Sequence, residues 1–239
     1  MTTDRAFWYI SSNGDKTIRK VDDRANQFGR LVVPQYARGG HVGPASYYDG
    51  WLYVAIEGPT SVFKISTANF PSCQMQSHPV TMADDHLAWC AVNPLNGRLY
   101  AAQIDIPQGS MLFAYDRDTL ERRPEDDIRL GHTPIAMQSI QGGVFTAHGR
   151  VMLVSSEPNA VFVFSARTGF CFGAKKLGNF GSTGSEVENV TVRDWVFNGG
   201  LKATVHILEL DNDLLSKDDA YLHSYSVPRP EVQSCCSAW

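Results

Sequence analysis

A phrase that recurs about every fifty residues constrains this chain more than any other feature. Each copy consists of a short apolar strand, a turn that ends in glycine, and a second apolar strand. The turn glycines are Gly50, Gly97, Gly149 and Gly200, so successive copies are 47, 52 and 51 residues apart. A repeat of this length that is built from short strands is typical of a β-propeller, in which each repeat forms one blade around a central axis.

The third strand of each repeat indicates how many blades to expect. Five segments alternate along their length and close on Asp or Ser, which suits the start of a turn. These segments begin at Ile18, Val62, Leu112, Val161 and Leu222. The sequence therefore predicts an all-β fold, namely a five-bladed β-propeller with about four antiparallel strands per blade. We expect residues 1–239 to form this single domain.

The two ends of the chain suggest how the ring closes. Residues 6–35 match the second, third and outer strands of a blade, but no inner strand precedes them. The residues after Pro228 are too few to form both an outer and an inner strand. We therefore expect the C-terminal segment, around residues 232–238, to close the first blade.

Composition and charge exclude several classes of function. A hydrophobic content of 43% and a charged content of 19% are ordinary for a soluble protein with a packed core. The net charge of −4 argues against a nucleic-acid partner, which would need a basic face. No apolar run approaches the roughly 18 residues of a membrane span. We expect a cytoplasmic protein with no membrane partner, or a secreted one if a signal peptide was removed.

Four polar residues are predicted to meet at the axis. The inner strand of each propeller blade starts near the mouth of the central channel. When the repeats are aligned on their turn glycines, His41, His86, Gln141 and Glu188 take the first position of the inner strand, with Glu186 as an alternative to Glu188. Two histidines and one carboxylate suit a divalent metal with open coordination positions. The sequence thus predicts zinc, iron, manganese or calcium on His41, His86 and Glu188. Gln141 would complete the coordination sphere or orient a water molecule.

A second ring of acidic residues is predicted from the loops between second and third strands. Its members are Asp15, Glu57, Asp105, Glu157 and either Asp211 or Asp213. An acidic funnel of this kind attracts cations. Glu57 or Glu157 would be the catalytic general base beside a metal that polarises a substrate oxygen. The alternative is that these polar residues only line a water-filled channel. His132, nine residues before Gln141, is expected in the loop that approaches the mouth.

The phrases HVGPASYYDGWLYVAIEG, WCAVNPLNGRLY and SEVENVTV resemble the propeller superfamily that includes regucalcin/gluconolactonase, paraoxonase and virginiamycin B lyase. The resemblance covers most of the chain as repeat architecture. It implies a divalent cation on the axis and either lactone hydrolysis or lyase chemistry, with His41, His86 and Glu188 at comparable positions. Those relatives have six or seven blades, against the five predicted here.

Two functional hypotheses follow. The first is a metal-dependent hydrolase or lyase that acts on a small oxygenated substrate at the channel mouth. The alternative is a lectin-like or other ligand-binding propeller without catalysis. A lectin with one site per blade needs nearly identical pockets in every repeat, whereas the loops at Asn13, Glu57, Asp105 and Glu157 differ. This divergence favours one axial site.

Overall fold

A computed structural model describes most of the chain. The described residues are 1–34, 40–57, 60–73, 75–79, 87–103, 111–157, 159–176, 185–197, 200–211 and 220–227. Beyond residue 184 the description concerns the backbone. Within these residues, no helix combines the length and the hydropathy needed to cross a bilayer.

Antiparallel strands in chain order form five sheets. The first sheet contains β1 (Thr2–Thr3), β2 (Trp8–Ser12), β3 (Thr17–Val21) and β4 (Gln27–Val32). The second contains β5 (Val42–Tyr48), β6 (Trp51–Ile56), β7 (Ser61–Ser66) and β8 (Met75–Pro79). The third contains β9 (Leu87–Val92), β10 (Arg98–Gln103), β11 (Met111–Asp116) and β12 (Ile128–Arg129), with a 3-10 helix at Pro124–Asp126. The fourth contains β13 (Gln138–Phe145), β14 (Arg150–Glu157), β15 (Ala160–Ser165) and β16 (Cys171–Lys176). The last contains β17 (Ser185–Phe197), β18 (Gly200–Asp211) and β19 (Ala220–Val227).

The first strands of the sheets are neighbours around one axis. β5 lies against β1 and β9, β13 lies against β9 and β17, and β17 also contacts β1. This arrangement confirms the predicted all-β propeller. Four sheets are complete four-stranded blades, and the sheet from β17 to β19 has three strands. The described residues therefore show four complete blades where the sequence predicted five.

The first blade supplies its own inner strand, contrary to the expectation from the sequence. Thr2 and Thr3 pair with Tyr9 and Trp8, so all four strands of this blade come from residues 2–32. The Thr2 hydroxyl also accepts a 3.0 Å hydrogen bond from the backbone N–H of Tyr47 on β5. The expectation that no inner strand precedes residue 6 was therefore wrong, whereas the expected closure of the first blade by residues 232–238 stays a prediction. Residues 228–239 lie outside the described part of the chain.

The turn glycines have the conformation that the repeat implied. Gly50, Gly97 and Gly149 have φ values of 81°, 70° and 80°, which side-chain-bearing residues rarely adopt. Each follows an inner strand and precedes the second strand of its blade. The regular spacing of these glycines along the chain therefore reflects one tight turn per blade.

Apolar side chains between adjacent blades form the core. Trp89 on β9 is fully buried, and its ring lies 6.5 Å from that of Phe145 on β13. Tyr100 packs against the same Phe145 ring at 5.1 Å. At Gly43, β5 lies so close to β9 that only glycine fits, because a Cβ there would lie 2.7 Å from the Ala88 carbonyl oxygen. The blades are thus packed tightly around the axis near the starts of their inner strands.

A β-bulge interrupts the start of four inner strands. In β9, β13 and β17 the extra residues are Ala88, Gln141 and Glu188. In β5, Gly43 and Pro44 lie opposite the single residue Ala55. Bulges bend a strand and redirect the side chains beside them. The bulges therefore determine which residues lie at the same level around the channel mouth.

Candidate functional site

His41 lies directly before β5, at the mouth of the channel, and its backbone is held from both sides. The Nζ atom of Lys16 donates a 2.8 Å hydrogen bond to the Gly40 carbonyl oxygen. The Oδ1 atom of Asn13 accepts a 3.0 Å hydrogen bond from the Val42 N–H and also accepts from Lys16. The His41 carbonyl oxygen accepts from the Glu57 N–H at 3.0 Å. The loop after β2 in the first blade therefore fixes the position of His41 in the second.

The environment of His41 favours a neutral imidazole. The residue is half-buried, and burial lowers the pKa of His41 below its ordinary value. The Lys16 ammonium lowers it further, while the Glu57 carboxylate opposes both effects. A neutral imidazole beside a carboxylate can ligate a metal ion or accept a proton.

The Asp15 carboxylate makes its contacts with residues of the first blade. Its carboxylate accepts a 2.6 Å hydrogen bond from the Thr17 hydroxyl and forms ion pairs with Arg19 and Arg30. Burial would raise the pKa of Asp15. Hydrogen bonds from Thr17, Ser12 and Arg19 outweigh burial and hold that pKa well below its ordinary value. Asp15 thus contributes to the acidic ring mainly as a partner of arginines.

The pairing register differs from the register obtained by aligning turn glycines. Gln141 and Glu188 are themselves bulged residues, whereas His41 lies two positions before the bulge in β5. Ser139 in β13 and Glu186 in β17 also lie two positions before the bulge of their own strand. Both are therefore level with His41. His86 precedes Ala88 by the same two positions. The bulges therefore place Glu186, rather than Glu188, at the level of His41.

Gln141 is oriented by the hydroxyl of Ser156, a residue that the sequence did not single out. Its Nε2 atom donates a 3.3 Å hydrogen bond to Oγ of Ser156, which in turn donates to the Ser139 carbonyl oxygen at 3.3 Å. Glu57 contacts the backbone of His41, and Ser156 contacts the backbone of Ser139. Because Ser139 is level with His41, Ser156 is level with Glu57. The half-buried Gln141 amide is thus tied to the end of β14.

The two predicted general bases occupy different surroundings. Glu57 is half-buried beside His41. Glu157 is exposed, pairs in register with Gln138 and lines a cavity on the fourth blade. The structure therefore brings Glu57 next to His41. His132 is exposed in the connection between β12 and β13.

Several predicted residues lie outside what the structure describes. His86, Asp105 and Asp213 fall in undescribed segments, and Glu188, Glu186 and Asp211 are described by their backbone alone. Among the described residues, no three His, Cys, Asp or Glu side chains are grouped so that they could hold a metal ion. This leaves the predicted set of His41, His86, Glu188 and Gln141 untested, because two of its side chains are not among those residues.

Asn13, Lys16 and Ser156 were missed because ordinary loop and strand residues carry no signal of their own. Asn13 and Lys16 act across 24 to 29 positions in sequence, on the backbone of another blade. Only the order of the blades around the axis brings these residues together. Ser156 becomes significant only once the bulge at Gln141 is known.

Comparisons with known proteins identify the fold. No family model matches the chain, and no curated protein matches it in sequence. A glutaminyl cyclase from Myxococcus xanthus superimposes with a TM-score of 0.61 at 12% identity, over 93% of this chain and 88% of that one. A streptogramin B lyase superimposes with a TM-score of 0.53 at 13% identity, over 96% and 68%. Virginiamycin B lyase from Staphylococcus aureus gives 0.51 at 8% identity, over 93% and 68%.

Identities this low establish shared architecture and leave the activity open. They agree with the resemblance drawn from the repeat phrases, which was also one of architecture. The chain is a β-propeller that resembles, in architecture, the propeller superfamily that includes virginiamycin B lyase.

Proposed function

We propose that the protein is a metal-dependent hydrolase or lyase whose site is the channel mouth around His41. The substrate is a small oxygenated molecule. In this proposal His41 and His86 are metal ligands, with Gln141 and an acid from β17 completing the site. Glu188 is the acid predicted from the glycine alignment, and Glu186 is the acid level with His41 in the pairing register.

The observation that carries the proposal is the environment of His41. Its position is fixed by hydrogen bonds on both flanking residues, which suits a group that must keep a defined geometry. Its pKa is lowered by burial and by Lys16, so the imidazole lone pair is available at neutral pH. These are the properties that a histidine ligand requires.

Glu57 is the better-supported general base. Its backbone is hydrogen-bonded to His41, and its carboxylate interacts with the His41 imidazole. A carboxylate in this place can accept a proton from a bound substrate or water. A divalent cation would supply Lewis-acid polarisation of the substrate oxygen. We assign Glu157, which ends β14 in the fourth blade, no part in this step.

Two further considerations support an enzyme. Two structural neighbours are by name a cyclase and a lyase, and this favours catalysis over binding alone. We also propose that the sheet from β17 to β19 is a fifth blade, within one domain over residues 1–239. A fifth blade would bring the acid of β17 to the axis, because β17 lies between β13 and β1.

Metal content tests the proposal. The protein is purified without chelator and the metal per chain is determined by elemental analysis. The melting temperature is then measured with added zinc, manganese and calcium. We expect one metal per chain and a metal-dependent rise in melting temperature that His41→Ala and His86→Ala abolish.

His148→Ala is the matched control, because His148 is exposed in the turn at the opposite end of the fourth blade. This variant should bind metal like the original protein. The proposal would be refuted if the protein contained no metal and its melting temperature did not change when metal was added. That result would favour a binding function without metal.

A further inference from the structure

A second concave feature lies on the fourth blade, on the same face as His41. It is a cavity of about 500 Å³ lined by Ile135, Ala136, Gln138, Glu157 and Lys176. Gln138 begins β13, while Glu157 and Lys176 end β14 and β16. In an antiparallel blade the start of the first strand and the ends of the second and fourth lie at one edge. The cavity therefore opens beside the channel mouth.

Two opposite charges line this cavity without neutralising each other. Glu157 and Lys176 are both exposed. In the part of the chain that the structure describes, neither side chain forms an ion pair with the other or with any further residue. Both the carboxylate and the ammonium group are thus available to a ligand.

The backbone beneath the cavity is held in place. Gln138 and Glu157 are opposite each other in the ladder between β13 and β14. The buried Ser155 hydroxyl lies within hydrogen-bonding distance of the carbonyl oxygens of both residues. Lys176 is paired with Ala160, which is paired with Ser155. The two charges therefore project from one rigid set of strand ends.

We propose that this cavity binds a small zwitterion, such as a free amino acid or a dipeptide. The ligand ammonium group binds the Glu157 carboxylate, and the ligand carboxylate binds the Lys176 ammonium group. The Gln138 amide supplies a further hydrogen bond, and Ile135 and Ala136 contact the apolar part of the ligand. A volume of about 500 Å³ lies in the usual range of small-molecule sites.

Calorimetric titration tests this inference on the whole chain, with a chelator present so that the result does not depend on a metal. The probes are L-alanine, L-leucine and the dipeptide Gly-Leu, which separate a free amino acid from a peptide source. We expect millimolar or tighter binding of at least one of the three. N-acetylation or methyl esterification of that probe should weaken binding about tenfold, since each removes one charge.

Single substitutions separate the two halves of the site. Glu157→Gln and Lys176→Met should each weaken binding by about three- to tenfold. The exchange Glu157→Lys with Lys176→Glu should recover part of the loss. Lys175→Met is the matched control, because Lys175 is equally exposed on β16 but does not line the cavity. Melting temperatures confirm that the variants are folded.

Two results would overturn the inference. One is the absence of binding by any probe at millimolar concentration. The other is an equal loss in Lys175→Met and Lys176→Met, which would show a general charge effect. Neither result bears on the metal at His41, and loss of that metal site would leave this binding unchanged.

Discussion

The Asn13 side chain, in the first blade, accepts a 3.0 Å hydrogen bond from the backbone N–H of Val42, in the second. The bond crosses the boundary between two blades beside His41. We expect Asn13→Ala to lower the free energy of unfolding by about 1 kcal/mol, because it leaves a donor without its partner. Urea unfolding measures this loss, and hydrogen exchange should show faster exchange at the Val42 amide. Asn13→Asp keeps an acceptor and should preserve protection, so equal exchange in both variants would contradict the assignment.

Lys64 and Asp118 join the second blade to the third. Lys64 is 6% exposed, and its Nζ atom lies 2.7 Å from the Asp118 carboxylate and 4.7 Å from the centre of the Trp51 ring. Asp118→Ala leaves a buried ammonium group without its anion and should cost about 1–3 kcal/mol. Lys64→Met removes the charge as well and should cost less. Chemical denaturation compares the two variants, and a larger loss in Lys64→Met would refute this account of the pair.

Stability should fall in acid partly through Asp15. The folded protein holds the pKa of Asp15 below its ordinary value, so the carboxylate stabilises the fold above its unfolded pKa of about 3.9. That contribution is lost as the pH falls below about 4 and the group takes up a proton. Asp15→Asn should therefore reduce stability at pH 6 more than at pH 3. Denaturation at the two pH values measures the difference, and an equal loss at both would contradict the prediction.

β5 lies so close to β9 that any side chain at position 43 should destabilise the fold. Gly43→Ala places a Cβ 2.7 Å from the Ala88 carbonyl oxygen, which is backbone and cannot move aside cheaply. We expect a loss of about 1–3 kcal/mol. Gly14→Ala is the control, since its Cβ would meet nothing nearer than 4.0 Å and its backbone is not left-handed. Thermal unfolding that ranks the two variants equally would disprove the close packing.

The blade repeat could be predicted because local physics determines it. Tight turns between strands favour glycine where φ is positive, and Gly50, Gly97 and Gly149 occupy such turns. The closure of the first blade could not be predicted in this way. Its inner strand is only Thr2–Thr3, and two residues carry no periodicity. Pairing with Tyr9 and Trp8, rather than any local preference, makes them a strand.

The sequence predicted which residue types lie at the candidate site. It predicted less well which residues of different blades lie at the same level. His41 does lie at the mouth beside Glu57. The level of Gln141 relative to His41 depends on bulges, which add one residue without changing the apolar pattern. The contacts of Asn13 and Lys16 depend on which blades are neighbours, and a single sequence does not show this.

The location of a bound metal tests the central claim most directly. Crystals of the protein loaded with zinc or manganese would be measured at the absorption edge of that metal. The account predicts one anomalous peak at the channel mouth, within about 2.0–2.3 Å of an imidazole nitrogen of His41 and of one of His86. A map without a peak there, with the two imidazoles directed to separate surfaces, would contradict it.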